Sequence, residues 1–541
     1  MPFADLHCHP AFWSFNKIRN SDLDAPGNPE NHIWNIVVDK KKQKLMKKGA
    51  RAIYSQSDFS SLTRGEVRLV FAALYSMEKG FFMGNREKGY NAEVVDGVLN
   101  QLLLNWPRFL RKIVGFVLRP FNRPLSKILN NEGWARDLVQ KWIMSFSTKR
   151  INHFQDPGYN YFNELILEHD FYRTFENASP VPPAVGTTKK YQLIKNNAHL
   201  GKVIAETDDI AVVFSLEGFH SLALETDPAS PDYLKLADEA TILQRIKKTK
   251  EEWNVFFITF SHHFSNHLAG HAHSLPKLLM EIADPKPLMN EGFLEPGEKY
   301  IRKLLSITDK NEPDPSAGRR ILIDVKHFSA LSRSHYYNRI VLPYNASHPE
   351  NPIPVIASHC GYYGQTEKGI KIELAHLIAE MKNEEDDSFA NGFYQWNINL
   401  CDEDIRVIVE SGGLIGLSFD QRIMGEKNVK DTSLKYWMNT VSRCIIAMVS
   451  SSIANVTTNP ERIWKTLCLG TDFDGLIDPL NAFSTAEQFN AFKAELLRFL
   501  SIIKESNGNY LFLNNNPYNP DKVVEMICFE NAYNFTLTHF K

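Results

Sequence analysis

The sequence predicts an α/β protein built as a (β/α)8 TIM-like barrel with helical insertions. Short apolar runs typical of buried parallel strands recur along the chain, and helix-like segments such as Leu234–Glu252 and Asp402–Glu410 separate most of them. Polar residues end most of these runs, and a barrel gathers its active site at the carboxyl ends of its strands. The eight runs are Phe3–His9, Ala50–Ser55, Ala211–Glu217, Val255–His262, Arg320–His327, Pro354–His359, Gly413–Asp420 and Leu467–Asp472.

The composition is that of an ordinary globular protein, and it excludes several functional classes. Of the 541 residues, 61 are lysine or arginine and 63 are aspartate or glutamate, and this near balance argues against a nucleic-acid partner. The six cysteines lie far apart, which excludes a disulfide scaffold and a CxxC motif. No signal peptide is visible in the opening MPFADLHCHP, so we predict a cytoplasmic protein. No run of about 18 apolar residues predicts a membrane-spanning helix.

We predict a single barrel over residues 1–541 that carries two insertions. A mostly helical insertion covers 80–199, and a loop or lid covers 361–397. The first contains an aromatic, basic patch at Trp106–Leu129 that could rest on a membrane surface. Its prolines break the helix that such a surface binder needs, so we expect no membrane contact. The sequence does not decide whether the protein forms a homo-oligomer.

The motif His7-Cys8-His9 is the first indication of chemistry. Side chains alternate across a strand, so His7 and His9 point the same way and could hold one divalent metal. A hydrogen-bonded histidine pair is the alternative. Glu217 ends a very apolar run, where an acid is costly unless it is paired or binds a cation. Its two oxygens could bridge two metals about 3.5–4 Å apart, and a salt bridge or helix cap is the alternative.

Two further histidines end successive strand candidates. His327 and His359 would supply nitrogens to a second metal. Lys326 suggests another bridge, a carboxylated lysine, but strand alternation turns Lys326 away from His327. We therefore assign the bridge to Glu217.

The last predicted strand and the loop after the fourth add candidates for acid–base and substrate roles. Asp472, in the run GTDFDG, could take and return a proton beside a metal-bound water, whereas Asp474 would hold the turn. A simple Asp-rich turn is the alternative for both. In Ser261–His273, His262 lies nearest the strand and is the better candidate for contacting substrate. Other histidines there recur every four residues and could line a helix face as a third metal site; these are His263, His267 and His271.

These pieces together resemble the renal (membrane) dipeptidase family of the amidohydrolase superfamily. The resemblance runs in order through almost the whole chain, in DLHCHP, SLEGFHS, FITFSHHFSN, ILIDVKHFS, PVIASHCG, NLCDEDIRVIVESGGLIGLSF, GTDFDG and ENAYNF. Each motif is weak alone, but the ordered set is specific. The resemblance implies a distorted (β/α)8 barrel of the metal-dependent hydrolase type, with two zinc ions, that hydrolyses dipeptides and related amides.

The resemblance also implies a role for each site residue. His7 and His9 would bind one zinc, and His327 and His359 the other, with Glu217 bridging them. A hydroxide shared by the metals would attack the scissile carbonyl. Asp472 would pass a proton to the leaving amine, and His262 would polarise the carbonyl or stabilise the oxyanion.

The chain departs from the family's pattern at two positions in the motifs. His9 stands where the family has aspartate, which should alter the charge of the site but keep metal binding. Ile398, before Asn399, stands where the family has an arginine that grips the substrate carboxylate. We assign Ile398 and Asn399, with His262, to substrate binding, and we expect ordinary dipeptides to be poor substrates. The competing interpretation is that a lysine of the second insertion reaches the same place, the candidates being Lys368, Lys371 and Lys382.

Three other functions stay open at this point. A metal-dependent phosphoesterase also opens with DLHCH, but SLEG and GTDFDG do not support it, and no Gly-rich phosphate loop is evident. A lactonase on the same barrel and a non-catalytic metal-binding relative are the others. Divalent metals other than zinc stay open too, and the expected partner is a small peptide or amide substrate.

Overall fold

The computed structural model describes residues 2–20, 33–34, 55–83, 148–178, 189–227, 230–275, 280, 283, 285–364, 371–380, 389–390, 392–425, 431–507 and 518–541. In chain order the described strands are β1 (Phe3–Cys8), β2 (Val67–Leu74), β3 (Tyr191–Leu193), β4 (Ile210–Glu217), β5 (Leu224–Asp227), β6 (Ser230–Leu236), β7 (Phe257–Thr259), β8 (Leu322–Asp324), β9 (Ile356–Cys360), β10 (Phe389–Ala390), β11 (Phe393–Tyr394), β12 (Leu414–Leu417) and β13 (Leu467–Leu469).

Eight of these strands form the barrel predicted from the sequence. Their order in the sheet is β1-β2-β4-β7-β8-β9-β12-β13, and all of these pairs are parallel. The first and last strands meet through hydrogen bonds from Asp472 N to His7 O and from His9 N to Phe473 O, each 2.9 Å long. The short β3 pairs with residues 210–212 at the beginning of β4, and β7 pairs with residues 215–217 at the end of β4. The predicted fold class is therefore confirmed.

The helices lie between the strands, as an α/β barrel requires. They are α1 (Phe12–Asn20), α2 (Phe59–Arg64), α3 (Gly80–Met83), α4 (Thr148–Gln155), α5 (Tyr161–Phe175), α6 (Asn197–Glu206), α7 (His220–Ala223), α8 (Glu239–Glu251), α9 (Glu295–Leu305), α10 (Ala330–Tyr336), α11 (Leu342–Ser347), α12 (Leu374–Glu380), α13 (Asp402–Ser411), α14 (Gln421–Met424), α15 (Leu434–Asn455), α16 (Ile463–Thr466), α17 (Phe489–Asn507), α18 (Pro520–Glu525) and α19 (Asn531–His539). Among the described helices, none combines the length and apolar character needed to cross a lipid bilayer.

Seven of the eight predicted runs overlap a barrel strand, and the second does not. The strand at that place in the barrel is Val67–Leu74, an apolar run that the prediction passed over, while residues 50–54 lie outside the described part of the chain. The helix predicted from Leu234 begins only at Glu239. Asp238 sets this start, because its side chain accepts a hydrogen bond from Thr241 N.

The two predicted insertions are described only in part. Within 80–199 the described residues include the helices α4 and α5, whereas the patch Trp106–Leu129 lies outside them. Within 361–397 they include α12 and the hairpin of β10 and β11. The domain boundaries stay a prediction.

The amino-terminal end of the barrel is closed by apolar packing. Inward-facing side chains of the strands, among them Leu69, Phe71 and Val213, form one buried cluster with residues of α6 and α19. From these helices come Leu200, Val203, Ala532 and Phe535. This packing leaves the opposite end of the barrel as the place for polar chemistry.

Candidate active site

The structure brings the predicted metal and catalytic residues to the carboxyl-terminal end of the barrel. His7 and His359 are the second-to-last residues of β1 and β9, and Glu217 is the last residue of β4. The remaining ones follow their strands within three residues; they are His9, His262, His327 and Asp472. The expected convergence of strand ends therefore places all seven residues in one region.

The Glu217 carboxylate lies at the centre of this region and is buried. Its Oε2 atom lies 3.1 Å from His9 Nε2. From its Oε1 atom, the distances to Nε2 are 3.3 Å for His7, 3.5 Å for His262, 3.8 Å for His327 and 3.9 Å for His359. One carboxylate thus faces five imidazole rings, and both of its oxygens are engaged.

Several of these imidazoles have unsatisfied nitrogens. Nδ1 of His7, His9 and His327 is buried and has no hydrogen-bond partner among the described residues, and Nε2 of His7 and of His9 contacts Glu217 without the angles of a hydrogen bond. Burying a polar atom without a partner costs free energy, so such atoms call for a ligand. Imidazole nitrogens with a shared carboxylate are a donor set that suits zinc. The residues present therefore fit a divalent metal.

Seven possible ligands fall into two groups that differ from the predicted pairing, and His9 belongs to neither group. His359 stacks near His7, with ring centroids 4.1 Å apart, and groups with His7, Glu217 and Asp472. His327 groups with two other histidines, His262 and His263. Within each group all ligand atoms lie within 4.8 Å of one another. The number and identity of the metals, and the pairing of His327 with His359 on one of them, stay predictions.

Asp472 lies against the first of these groups. Its Oδ1 is 3.8 Å from His7 Nε2, and its Oδ2 is 3.8 Å from His359 Nε2. Burial, helped by the charge of Glu217, raises the pKa of Asp472 well above its ordinary value. Its φ of 63° is in the left-handed region, a strained backbone of the kind found at functional sites.

Asp474 has the structural role that was expected of it. Its Oδ1 accepts hydrogen bonds from Trp13 Nε1 and Gln56 N, and its Oδ2 accepts two from Ser57. The carboxylate thereby ties the turn after β13 to the segment before α2.

Glu78 is a site residue that sequence reasoning missed. It is buried four residues beyond β2, and its Oε2 accepts a 2.5 Å hydrogen bond from His262 Nδ1. Burial alone would lower the pKa of His262, but the carboxylates of Glu78 and Glu217 outweigh it and raise the pKa to about 10. The signal that could have found Glu78 is the apolar run Val67–Leu74 that precedes it.

Lys326 faces the site, contrary to the alternation argument. That argument fails because β8 already ends at Asp324, two residues earlier. The Lys326 amine is buried, and no hydrogen-bond partner for it lies in the described part of the chain. Burial lowers the pKa of His359, and the nearby charges of His7 and Lys326 lower it further.

The predicted substrate residues lie beside an apolar cluster. Ile398 is buried with Ala272, Tyr394, Trp396 and Ile423. Ala272 N donates a 2.8 Å hydrogen bond to His327 O, so the cluster adjoins the metal-ligand candidates.

Asn399 is engaged by the backbone around it. Its Oδ1 accepts from Gly361 N at 3.2 Å, and its Nδ2 donates to Tyr394 O and Ile423 O. Both amide hydrogens are therefore used within the protein. The assignment of Ile398, Asn399 and His262 to substrate binding stays a prediction.

The lysines of the second insertion that were candidates for a substrate carboxylate either have an acidic partner or lie outside the described residues. Lys371 Nζ lies 2.9 Å from Glu373 Oε1, and Lys368 and Lys382 are not described. Arg422 in α14 faces Asp420, with Nε 2.9 Å from Oδ1 and Nη2 2.5 Å from Oδ2.

The predicted helix face of histidines does not form. The segment 260–275 is described throughout and contains no helix, and His267 has φ of 60°. His263 Nδ1 instead lies 2.6 Å from Ser274 Oγ, whereas His271 Nε2 lies 3.3 Å from Pro287 O. The prediction of a metal site on His263, His267 and His271 is therefore wrong in its premise, because the helix face that would align the three rings does not exist.

No family model matches the sequence, and a comparison with curated proteins likewise gives no match. Solved structures do match. A dipeptidase described as a metallopeptidase of family M19 is 12% identical with a TM-score of 0.48, over 100% of this chain and 98% of that one. A metallopeptidase from Rhodobacter sphaeroides, liganded with a phosphinate mimic of the dipeptide L-Ala-D-Ala, is 12% identical with a TM-score of 0.47, over 100% and 99%. The probable dipeptidase PvdM from Pseudomonas aeruginosa is 11% identical with a TM-score of 0.40, over 90% and 89%.

Proposed function

We propose that this protein is a metal-dependent hydrolase that cleaves a peptide or related amide bond, as the resemblance to the renal dipeptidase family implies. The observation that carries the proposal is the buried Glu217 carboxylate facing five imidazoles at the carboxyl-terminal end of the barrel. The unsatisfied nitrogens of His7 and His9 support it, because metal ligation would satisfy them.

The proposal includes two zinc ions, with other divalent metals as the alternative. His7, His9, Glu217, His327 and His359 would hold them. Bound zinc would activate a water molecule at neutral pH and polarise the scissile carbonyl. The chain's own groups then orient the substrate and move the proton.

Asp472 is the residue we assign to proton transfer. Its carboxylate lies 3.8 Å from ring nitrogens of His7 and His359, so it borders the place where the water and the substrate would meet. A carboxylate at this position can take up a proton from the water and return it to the leaving amine.

His262 and Ile398 would act on the substrate. Glu78 fixes the His262 ring through Nδ1, which leaves Nε2 directed toward Glu217 and the reacting carbonyl. The described members of the apolar cluster around Ile398 include no cation, so a free carboxylate bound against them would lose its partner. An amide, a longer peptide or a lactone would fit this cluster better than an ordinary dipeptide, which makes a lactonase the second candidate.

The test compares kcat/KM for a dipeptide, its C-terminal amide, a lactone and a phosphate ester, after metal removal and after zinc is restored. We expect zinc-dependent cleavage, with the amide preferred over the free acid by about a hundredfold, since an unpaired carboxylate costs a few kcal/mol. Ile398→Arg should reduce the preference for the amide over the free acid, whereas Ile398→Leu should leave this preference unchanged. Cleavage of the phosphate ester alone, or rates indifferent to metal, would overturn the proposal. Preference for the free acid would overturn only the apolar interpretation.

A further inference from the structure

The segment that follows β2 is buried but has no regular secondary structure. Residues 75–79, the β2 loop, belong to no described strand or helix, and residues 76–79 are all buried. A buried loop cannot pair its backbone groups with water, so other parts of the protein must supply the partners. The β2 loop carries Glu78, which binds the ring of His262. The groups that hold the loop therefore also hold His262.

Helix α5 of the predicted first insertion supplies most of these partners. Tyr75 N donates a 2.8 Å hydrogen bond to Glu168 Oε2. Ser76 Oγ donates to Tyr161 O at 2.6 Å, and the Tyr161 hydroxyl accepts from Lys79 N at 2.9 Å. Three residues of the loop are thus tied to one helix.

The turn between α4 and α5 adds two further contacts. Tyr159 OH donates to Met77 O at 2.9 Å, and Lys79 Nζ donates to Asp156 O at 2.8 Å. The Lys79 amine also donates to Thr226 Oγ1 in β5, at 3.2 Å. Together with α5, the turn binds four of the five residues of the β2 loop, so the course of the loop depends on this part of the insertion.

On its other side the β2 loop faces the candidate active site. Glu78 Oε2 accepts from His262 Nδ1 at 2.5 Å, and Glu78 Oε1 accepts from Phe264 N at 3.2 Å. Tyr75 OH donates to Glu78 Oε2 at 3.3 Å, and the Tyr75 ring lies against that of His262, with the centroids 5.0 Å apart. One buried carboxylate therefore fixes both the His262 ring and the backbone that follows it.

We propose that α5 and the turn before it act as a positioning element for His262. They hold the β2 loop, and Glu78 on this loop orients the ring so that Nε2 faces the reacting carbonyl. This part of the insertion then contributes to catalysis without touching the substrate. The inference rests on the proposed function, from which it takes the role of His262 at the carbonyl. It leaves the metal ligands as assigned and adds Glu78, Tyr159 and Tyr161 as positioning residues.

A positioning role predicts an effect on kcat and not on KM. A donor at the carbonyl stabilises the transition state more than the bound substrate, and the loss of such a donor costs about 10²–10³-fold in kcat. A displacement of about 1 Å, even one caused far from the reacting atoms, can cost about 10²-fold. A purely structural role would instead lower the free energy of unfolding and leave the rate of the folded protein unchanged.

The test measures kcat, KM and zinc content of the full chain, with alanyl-alanine or its C-terminal amide as substrate, whichever the original protein cleaves faster. The double variant Tyr159→Phe/Tyr161→Phe removes two hydroxyls that hold the loop. It should lower kcat about 10–100-fold and keep KM within about twofold, with unchanged zinc content. Tyr191→Phe is the matched control, because it also removes a buried tyrosine hydroxyl bonded to the backbone, at Tyr172 O outside the β2 loop. It should keep the original kcat.

A second pair of variants tests the link between the loop and the ring. Glu78→Leu should lower kcat about 10²–10³-fold, whereas Glu78→Gln keeps an oxygen that can accept from His262 Nδ1 and should retain more of the rate. Far-ultraviolet circular dichroism checks folding, and the tyrosine variants decide the outcome if Glu78→Leu does not fold.

Two results would overturn the positioning role and leave the hydrolase proposal intact. One is an unchanged kcat in the double tyrosine variant or in folded Glu78→Leu. The other is a loss of similar size in Tyr191→Phe. An original protein that cleaves neither substrate would instead overturn the proposed function.

Discussion

The two ends of the barrel are built from the same eight strands but bury opposite kinds of side chain. At the amino-terminal end Phe71, Val213 and Leu200 pack in one apolar cluster with residues of α19. At the carboxyl-terminal end the buried side chains are histidines and carboxylates, and several ring nitrogens have no partner among the described residues.

This difference predicts which substitutions should change stability and which should change catalysis. A barrel tolerates an unfavourable polar end because the packing of the other end and of the surrounding helices compensates for it. Changes at the carboxyl-terminal end should therefore alter metal binding and rate, while changes at the amino-terminal end should alter the free energy of unfolding.

The largest effect is expected at the centre of the polar end. Glu217→Gln removes the charge and one of the two oxygens that face the five imidazoles, so both metal occupancy and hydrolysis should be lost. Elemental analysis and a rate assay on the same preparation measure this. Full metal content with an unchanged rate would show that Glu217 is not a bridge.

Next comes the residue assigned to proton transfer. Asp472→Asn should lower kcat by about 10²–10⁴-fold, because an amide cannot exchange the proton, while metal content stays the same. Asp474→Asn provides a comparison, since it should weaken the turn that holds Trp13 and Ser57 and affect stability instead. An unchanged kcat in Asp472→Asn would reduce Asp472 to a turn residue.

The corresponding change at the apolar end should have the opposite profile. Phe535→Ala on α19 should lower the free energy of unfolding by about 3–5 kcal/mol, because it leaves a cavity beside Phe256. Urea denaturation measures the loss, and Phe535→Leu should retain most of the stability. If Phe535→Ala also halved the metal content of the folded protein, the two ends of the barrel would not affect stability and metal binding independently.

The smallest effect concerns the helix that helps to close the apolar end. Asn196 caps α6, since its side chain accepts a 2.9 Å hydrogen bond from His199 N. Asn196→Ala should therefore cost about 1 kcal/mol of unfolding free energy without changing the rate. Lys202→Ala on the exposed face of α6 is the control and should stay within about 0.5 kcal/mol.

The barrel could be predicted from the sequence because buried parallel strands have a distinctive apolar pattern. The second strand was misplaced because Ala50–Ser55 and Val67–Leu74 are both short apolar runs and no metal-ligand residue directly follows either of them. Convergence of the site residues followed from their positions at strand ends. The prediction grouped His263 with His267 and His271 on a helix face, whereas the loop after β7 brings the centroid of its ring to 4.0 Å from that of His262.

How the residues pair could not be predicted, because it depends on backbone beyond the strands. His327 has φ of 65° and leaves the strand direction, which brings its ring toward His262. Lys326 faces the site for a similar reason, since β8 ends before it. The proximity of His7 to His359 arises from barrel closure, which no local pattern encodes.

The seam between β1 and β13 has a consequence for how the protein is made. Thr471 donates hydrogen bonds to Asp5, a residue 466 positions earlier in the chain. At translation rates of 5–20 residues per second, the ribosome needs roughly 25–90 s to progress from one side of the seam to the other. His7 and His9 are thus synthesised long before Asp472. The polar site at the carboxyl-terminal end of the barrel can therefore be complete only after both sides of the seam have been synthesised.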